Sequence, residues 1–556
     1  MLIGQSYIEP PSYIGDISNA TLYEAYVNAN KDNLDNVAIY TMDGKIYRHR
    51  ELCRMIDSAA IGFRNMGIRE GDKIGILINN VIEETVSLLA LNRLNAISVF
   101  VDISKGVSDI GASVSKHNLK ILIMEERMLP IETSINVCDI PVVFVGDKKT
   151  YEKGIAFSEL LNCEGELGPI TKNKENSTII INSSGTTGIP KPIVHTNASV
   201  NAAAYKILAT DYSQNRENII MKVIPSYIGL GLITTLYTSL LSGTKIVLIN
   251  GNNPQESIEN TTKFILSFPE FRNSVGLMED AKLLVFAAPM FFRVLAEKIS
   301  DCSDLSYIQT MLAAGSKMGK EELHNIHSKL EKVNCYTKIC NGYGQNEMCG
   351  AVTLNSNAAN KEGSAGFPVI GTDICIVEPD SLEKLDVYQE GLILEKSESV
   401  FLRYENMPDE TQKAFVTLND GKKWFNTKDI GYLDEDNFLY ITGRMSRVLV
   451  KYDCKISIDS VEEKIKNHPD VCDCAIIVSD KNEVEEYAIA FIALKSEVRH
   501  ITEKVLLDIK SAEFGLSELE IPESFVFVSQ IPYMENGKVD YRALEEVENN
   551  ARKGEE

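Results

Sequence analysis

The sequence predicts an α/β protein with a large N-terminal domain and a small α+β C-terminal domain. The chain has 556 residues, which exceeds what one hydrophobic core usually serves. Apolar strand patterns alternate with amphipathic helix patterns, and this alternation is typical of parallel sheets with crossover helices. After about Leu385 the character changes, because short strands separated by Gly and Asp turns become dominant.

The individual elements follow from the hydrophobic periodicity. The N-terminal part begins with a helix from residue 51, a buried strand at 73–78, a helix at 83–95 and a strand at 96–101. Later strand patterns occur at 142–145, 245–249, 283–286, 391–394, 424–426 and 438–441. The last part predicts a helix at 460–467, strands at 474–478 and 487–494, a helix at 502–514 and a strand at 524–528. We expect the charged tail 545–556 to fray. These patterns predict one domain over residues 1–444 and another over 445–556.

Composition narrows the class of function. The chain carries 56 basic and 79 acidic residues, a net charge of −23, so a nucleic-acid partner is not expected. Its 11 cysteines are scattered without a Cys-x-x-Cys pair, which favours a reducing compartment over a disulfide framework. The N-terminus lacks the pattern of a signal peptide, and no apolar run is long enough to cross a bilayer. A cytoplasmic protein without a membrane partner is therefore expected.

One loop carries the most information about chemistry. It follows the apolar run 179–181 and combines hydroxyl, glycine and lysine side chains: Ser183, Ser184, Gly185, Thr186, Thr187, Gly188 and Lys191. Glycines let backbone N–H groups approach an anion, hydroxyls add donors, and the lysine adds a positive charge. The loop lacks the Gly-Lys-Ser/Thr triplet of a Walker A loop. It predicts a polyphosphate site, and the alternative is a flexible surface turn.

Four later segments carry matching chemistry. In Asn-Gly-Tyr-Gly-Gln-Asn-Glu (341–347), an aromatic ring between glycines can face a purine, and Glu347 can hold a hard cation. Asp429, within 424–432, can accept hydrogen bonds from a diol. Arg444, which ends 441–444, suits an oxyanion. An Asn-Gly turn at 536–537 can project Lys538. His324 and His327 have the spacing of a metal pair on a helix at 320–332, but no third ligand is near, so we expect them to be solvated.

In this order, the motifs resemble those of the ANL superfamily of adenylate-forming enzymes, and the resemblance covers nearly the whole chain. It implies an N-terminal domain of mixed and parallel sheets with a distorted β-barrel, a small mobile lid domain, and ATP and Mg²⁺ as cofactors. The residues that would bind ATP or AMP are Ser183, Ser184, Gly185, Thr186, Thr187, Gly188, Lys191, Gly315, Asn341, Gly342, Tyr343, Gly344, Asn346, Asp429, Ile441 and Arg444.

The resemblance also assigns roles and shows departures. Lys538, Glu347 and Lys191 would be catalytic, with Lys538 bridging the substrate carboxylate and the α-phosphate and Glu347 holding the metal. Four positions depart from the family pattern. They are Asn346 in place of Thr or Ser, Lys428 in place of Gly, Ser446 at the hinge in place of Asp or Lys, and Asp453 in place of Gly.

The acid is predicted only as a class. Amino-acid adenylating relatives carry an Asp where this chain has Leu230, and a buried ammonium without a counter-ion would be costly. The His of many acyl-CoA and aryl-CoA ligases is replaced by Ile228. An aromatic or aliphatic acid is therefore favoured over an ordinary α-amino acid. The expected acyl pocket consists of Tyr227, Ile228, Gly229, Ala314 and Met348.

The resemblance implies ATP-dependent formation of an acyl-adenylate, followed by transfer to a thiol. The segment Asn-Gly-Lys-Val-Asp (536–540) looks like that of adenylation domains, which favours a free-standing acyl or peptidyl carrier protein as acceptor. Coenzyme A is the alternative acceptor, which would make the protein an acyl-CoA or aryl-CoA ligase. A different class is a degenerate nucleotide-binding regulatory protein without turnover. Luciferase-like oxidation is a third alternative.

Overall fold

The computed structural model describes residues 7–102, 113–125, 140–146, 154–169, 173–183, 190–251, 253–300, 303–316, 318–451, 454–481, 485–495, 498, 502–533 and 539–555. The chain divides into two compact units. The first consists of Met1–Asp373 and Lys396–Phe415, and the second of Ile374–Glu395 and Val416–Glu556. The predicted boundary between residues 444 and 445 concerns the lid of the related enzymes, and it stays a prediction.

The first unit contains a nine-stranded sheet that is mainly parallel. From edge to edge its strands are Phe367–Pro368 (β16), Gly350–Leu354 (β15), Ile339–Gln345 (β14), Ile308–Ala313 (β13), Leu283–Ala287 (β12), Ile219–Lys222 (β10), Lys245–Leu248 (β11), Val37–Thr41 (β1) and Ile46–Arg48 (β2). The pairs β1–β2, β14–β15 and β15–β16 are antiparallel. The strands β12 to β14 pack a continuous apolar core against helices of the same unit.

The second sheet of this unit has eight strands. In order they are Arg403–Tyr404 (β19), Pro192–Thr196 (β9), Ser177–Asn182 (β8), Ile97–Phe100 (β4), Lys73–Leu77 (β3), Ile121–Glu125 (β5), Val142–Val145 (β6) and Gly154–Ala156 (β7). The pairs β8–β9 and β9–β19 are antiparallel, and the others are parallel. These two sheets confirm the predicted α/β fold class.

Helices cover these sheets, as the crossover pattern predicts. They include Leu22–Asn30 (α1), His49–Asn65 (α2), Ile82–Arg93 (α3), Phe157–Leu160 (α4), Asn197–Leu208 (α5), Thr238–Ser242 (α6), Pro254–Leu266 (α7), Phe268–Ser274 (α8), Pro289–Lys298 (α9), Lys320–Glu331 (α10) and Pro408–Lys413 (α11). A π-helical segment, Leu230–Tyr237, leads into α6. In the described part of the chain, none of the helices is both long and apolar enough to cross a membrane.

A five-stranded half-barrel sheet lies mostly in the second unit, as expected for the distorted barrel. Its strands are Thr372–Val377 (β17), Gly391–Ser397 (β18), Lys423–Leu433 (β21), Phe415–Thr417 (β20) and Leu439–Arg444 (β22). A hairpin follows, formed by Val448–Lys451 (β23) and Cys454–Ser457 (β24).

The last part of the chain is α+β, as predicted. Its three strands are Val471–Lys481 (β25), Glu485–Leu494 (β26) and Ser524–Val528 (β27), and its helices are Ile458–Lys466 (α12), Thr502–Lys510 (α13) and Tyr541–Glu555 (α14). Alternate residues of β25 and β26 enter two separate apolar clusters, so both faces of this sheet are buried.

Three local expectations are wrong. The tail is helical as far as Glu555, because it continues α14, whose first turn packs Tyr541 and Leu544 against one face of the three-stranded sheet. The helix expected at 502–514 ends at Lys510 and is followed by a short 3-10 turn, Ala512–Phe514. His327 is buried rather than solvated, because its Nε2 accepts a hydrogen bond from the Ile339 N–H at 2.9 Å.

Candidate functional site

The predicted phosphate loop leaves one strand and returns to its antiparallel neighbour. Asn182 at the end of β8 pairs with Pro192 at the start of β9. The two ends of the loop are joined by hydrogen bonds. Ser183 Oγ accepts from the Lys191 N–H at 2.9 Å, and the Ser183 N–H donates to the Lys191 carbonyl at 2.8 Å. The predicted donors Ser184, Gly185, Thr186, Thr187 and Gly188 lie outside the described residues.

The ammonium group of Lys191 has two neighbours that the sequence did not indicate. Its Nζ forms an ion pair with Glu410 and lies 5.1 Å from the centre of the Tyr404 ring. Hydrogen bonds from Lys191 and then Lys413 lower the pKa of Glu410 to about 2, so this carboxylate is ionised at neutral pH. Lys191 is therefore a paired cation rather than an isolated charge.

Glu347 is held by the same tyrosine. The Tyr404 hydroxyl donates to Glu347 Oε1 at 3.0 Å, and the Phe401 N–H donates to the Glu347 carbonyl at 2.7 Å. Burial, together with the nearby Glu347 carboxylate, raises the pKa of Tyr404 well above its usual value, so the tyrosine stays a donor. Tyr404 thus connects the predicted metal ligand to the predicted phosphate-binding lysine.

Asn346 joins three segments through its amide and its carbonyl. Oδ1 accepts from the Gly229 N–H at 3.0 Å, and Nδ2 donates to the Asn182 carbonyl at 2.7 Å. The backbone carbonyl of Asn346 accepts from His195 Nε2 at 2.8 Å. The side chain that departs from the family pattern therefore bridges the end of β8 and the expected acyl segment. Its placement as an ATP-binding residue stays a prediction.

His195 holds the backbone carbonyl of Asn346 at this junction. It is fully buried on β9, and burial lowers its pKa to about 4. The neutral ring places Nε2 near the Asn346 carbonyl and Nδ1 at 3.3 Å from Ser199 Oγ, so Nε2 is the protonated nitrogen. The histidine acts as a fixed hydrogen-bond donor at neutral pH.

The predicted adenine motif forms the end of β14. Asn341 pairs with Ala313 of β13, which brings it next to Ala314 and Gly315 in the following turn. Asn341 is buried, and its Oδ1 has no hydrogen-bond partner among the described residues. A buried oxygen of this kind favours a ligand that donates a hydrogen bond.

The glycines of this motif are needed for packing of the hairpin. A Cβ atom on Gly344 would lie 1.8 Å from the Gly350 carbonyl oxygen of β15, and one on Gly342 would lie 2.6 Å from Leu354 Cδ2. Tyr343 is half-buried between them, and its hydroxyl accepts from Gln345 Nε2 at 3.0 Å. The glycines thus fix the course of the strand that carries Tyr343.

The expected acyl segment precedes the π-helical turn. Tyr227 and Ile228 are half-buried, and Gly229 contacts the turn after Glu347, since a Cβ atom there would lie 3.2 Å from the Gly350 N. Met348, in the same turn, is completely buried. Local π-helical geometry often accompanies functional sites. The lining of the acyl pocket stays a prediction.

The predicted ribose residues lie in the second unit. Asp429 of β21 is opposite Arg444 of β22, and Arg444 Nε lies 2.9 Å from Asp429 Oδ1. Ile441 lies further along β22, opposite Gly431. Lys428 has a φ of 62°, the left-handed region that favours glycine, which is the usual residue of the resembled family at this position. A non-glycine residue therefore adopts here a backbone conformation that glycine adopts more easily.

The hinge and the C-terminal lysine are described only in part. Ser446 lies in a 3-10 turn, Met445–Arg447, between β22 and β23. Lys538 lies outside the described residues, as does Asp453. The flanks of the predicted turn are described, because Tyr533 and Val539 form an antiparallel bridge.

Sequence reasoning missed Tyr404, Glu410 and the structural use of Asn346. Tyr404 and Glu410 are more than 200 residues away from Lys191 in the chain, and their approach depends on the pairing of β19 with β9. The only local signal was the Pro-Asp-Glu-Thr segment at 408–411, which is typical of a helix start.

Comparison with known proteins adds a family to this geometry. A family model described as AMP-binding enzyme matches residues 26–405, and one described as AMP-binding enzyme C-terminal domain matches residues 460–538. The 4-coumarate–CoA ligase 1 of Solanum tuberosum is 24% identical, with 92% of this chain and 91% of that protein covered. The 4-coumarate:CoA ligase 1 of Petunia hybrida is 25% identical, with coverage of 89% and 88%.

Two solved structures show a similar fold. ATP-bound MatB from Rhodopseudomonas palustris has a TM-score of 0.81 at 17% identity, over 95% of this chain and 99% of that chain. The anthranilate CoA ligase AuaEII in complex with anthranoyl-AMP has a TM-score of 0.81 at 20% identity, over 96% and 98%.

Proposed function

The chain belongs to the AMP-binding enzymes of the ANL adenylate-forming superfamily, and we propose that it activates a carboxylic acid with ATP and transfers the acyl group to a thiol. The observation that carries this proposal is the linkage of Lys191 to Glu347 through Tyr404. A cation and a carboxylate are held together next to a loop of glycine and hydroxyl residues. This is the combination that a triphosphate with a hard cation requires.

In the first step, the carboxylate of the acid attacks the α-phosphorus of ATP, pyrophosphate leaves, and an acyl-adenylate forms. Lys191 and the loop at 183–188 would hold the β- and γ-phosphates. Asn341, Gly342, Tyr343 and Gly344 would hold the adenine, and Gly315 would adjoin it. Lys538 would bridge the acid and the α-phosphate, where an ammonium group offsets the charge that gathers during displacement.

Magnesium fits the donor set. Glu347 offers a hard carboxylate oxygen, and Mg²⁺ commonly takes one or two carboxylates together with substrate phosphates. When bound, the ion would neutralise phosphate charge in the displacement. Tyr404 would keep the Glu347 carboxylate oriented for binding the metal, since its hydroxyl donates a hydrogen bond to Oε1.

Asp429 and Arg444 would recognise the ribose, with Ile441 beside them. A carboxylate is a natural acceptor for two hydroxyl groups, and the guanidinium group of Arg444 orients the Asp429 side chain. In the second step, a thiol attacks the acyl carbon and AMP leaves. The small domain would rotate about Ser446 between the two steps.

The proposed acid is aromatic or aliphatic and has no α-ammonium group. Leu230 offers no counter-ion for an ammonium, and Ile228 and Met348 are apolar. The related 4-coumarate–CoA ligases have an aromatic acid in their name. We take coenzyme A as the first acceptor to test, because these relatives are CoA ligases. A carrier protein is the second acceptor, favoured by the Asn-Gly-Lys segment at 536–538.

The experiment is ATP–pyrophosphate exchange with a panel of acids that includes 4-coumarate, benzoate, anthranilate and aliphatic acids of graded length. We expect exchange with at least one acid, and thioester formation when coenzyme A or a carrier protein is added. Tight ATP binding without exchange for any acid would instead support nucleotide binding without turnover. The argument for that alternative is the set of departures from the family pattern at Asn346, Lys428, Ser446 and Asp453.

The lysine assignment has its own variant. Lys538→Ala should abolish exchange and leave ATP affinity largely intact, because the lysine acts on the α-phosphate during displacement. Lys504→Ala, which removes an exposed lysine of the same unit, should leave exchange unchanged. Full exchange by the Lys538→Ala protein would refute the assigned role.

A further inference from the structure

Glu410 is brought to Lys191 by backbone pairing. Tyr404 of β19 pairs with Ile193 of β9, and the Glu405 N–H donates to the Pro192 carbonyl at 2.9 Å. The segment that contains Glu410 therefore runs beside the chain that leaves the phosphate loop at Lys191. Glu405, next to Tyr404, fixes this segment, because its buried carboxylate pairs with His117 at 2.7 Å and with Lys73.

The short helix that carries Glu410 is also fixed. The Tyr404 N–H donates to Thr411 Oγ1 at 2.9 Å, and the Thr411 N–H donates to the Met407 carbonyl at 3.0 Å. The side chains of Lys191 and Glu410 are 25% and 29% exposed, so water and solutes can reach the pair. The contact is thus placed by the fold but open to exchange.

Each partner keeps a second neighbour if the pair separates. Glu410 Oε1 lies 3.1 Å from Lys413 Nζ, one helical turn away. Lys191 lies above the face of the Tyr404 ring, a favourable place for a cation. Separation therefore leaves neither charge without compensation, which lowers the free energy of exchanging one partner for another.

We propose that Glu410 is a displaceable counter-ion of Lys191. The Glu410 carboxylate pairs with the lysine before nucleotide binds, and a phosphate oxygen of the nucleotide then takes its place. This inference rests on the proposed function, because it takes Lys191 as a ligand of the triphosphate. Glu410 weakens the binding of nucleotides that carry β- and γ-phosphates, since they must break the ion pair. It does not affect AMP, which lacks these phosphates. The carboxylate thereby sets the affinity of the triphosphate end of the site and favours release of pyrophosphate.

The test is isothermal titration of the full chain with ATP and with AMP, in the absence of any acid. Glu410→Gln should bind ATP about two- to fivefold more tightly than the wild type, the range for a partly exposed ion pair. Glu410→Asp keeps the charge but shortens the side chain by one methylene, so it should show a similar gain. Asp409→Asn removes an exposed carboxylate one residue away and should leave ATP affinity unchanged.

The outcomes separate this inference from the proposed function. It is overturned if Glu410→Gln binds ATP no more tightly than the wild type. It is also overturned if the affinity for AMP rises equally. The same holds if Glu410→Asp binds ATP as the wild type does while Glu410→Gln binds it more tightly, because the effect then comes from the negative charge at this position and not from the ion pair. If neither the wild type nor the variants bind ATP, the proposed function and this inference both fall. ATP binding by the wild type without a gain in the variants removes only this inference.

Discussion

Replacing Asn346 by Ala removes the bridge between the end of the phosphate strand and the acyl segment. The lost contacts are the bond from the Gly229 N–H at 3.0 Å and the bond to the Asn182 carbonyl at 2.7 Å. A typical hydrogen bond contributes about 1 kcal/mol, and a buried donor left without a partner costs roughly 1–3 kcal/mol. Because Gly229 is buried, we expect a local loss of roughly 2 kcal/mol.

Hydrogen exchange measures this loss locally and does not require two-state unfolding of a two-unit chain. The Gly229 amide should exchange about 30-fold faster in Asn346→Ala, since 1.4 kcal/mol corresponds to a factor of ten. Asn346→Asp keeps an acceptor for Gly229 but places a carboxylate oxygen against the Asn182 carbonyl. It should therefore keep part of the protection at Gly229 and lose stability at Asn182.

The matched control is Asn162→Ala, which removes one exposed amide contact to the Ser158 carbonyl. It should leave exchange at Gly229 unchanged. If the proposed function holds, Asn346→Ala should also raise the KM for the acid, because the acyl segment loses its anchor. Unchanged exchange at Gly229 in Asn346→Ala would refute this reasoning.

Two further predictions follow from buried charged or titratable groups. His195 has a pKa of about 4 when folded and about 6.5 when unfolded, so the unfolded chain binds the proton more readily. The free energy of unfolding should therefore fall by about 3 kcal/mol as the pH drops from 6.5 to 4, and His195→Asn should weaken this slope in urea titrations. The exposed His324→Asn should retain the wild-type slope, and equal slopes in all three proteins would contradict the prediction. Arg447 pairs with Asp459 and with the buried Glu462, so Arg447→Met should destabilise the second unit by roughly 3–5 kcal/mol. The single tryptophan lies in this unit, so its fluorescence reports the unfolding transition. The control Lys504→Met should change the free energy of unfolding little. A loss of unfolding free energy below about 1 kcal/mol in Arg447→Met would contradict the estimate.

Elements with a strong apolar period could be predicted from the sequence. The strand expected at 73–78 is Lys73–Leu77, and the strand expected at 524–528 has those bounds. The prediction for the tail is wrong because its many charged residues indicate fraying, whereas the few apolar side chains at the start of its helix contact the sheet. Leu544 is buried on the sheet and Tyr541 packs beside it, so the start of the helix is anchored.

The departures from the family pattern show where sequence comparison reaches its limit. Lys428 stands where glycine is usual in the family, and its φ of 62° lies in the left-handed region that favours glycine. Asn346 stands where the family has Thr or Ser, and its amide bonds with the Gly229 N–H and the Asn182 carbonyl. The residue type of Asn346 indicates a polar contact, but its partners depend on segments far away in the chain.

The sequence by itself determined the fold class, the order of the motifs and the superfamily, because these depend on hydrophobic period and on residue types at short spacing. Only the tertiary structure decided that Tyr404 contacts both Lys191 and Glu347 and that Glu410 forms an ion pair with Lys191. These contacts arise from the antiparallel pairing of β19 with β9. Pairing of strands so distant in the chain is selected by burial of the whole sheet, and a local pattern of residues does not contain that information.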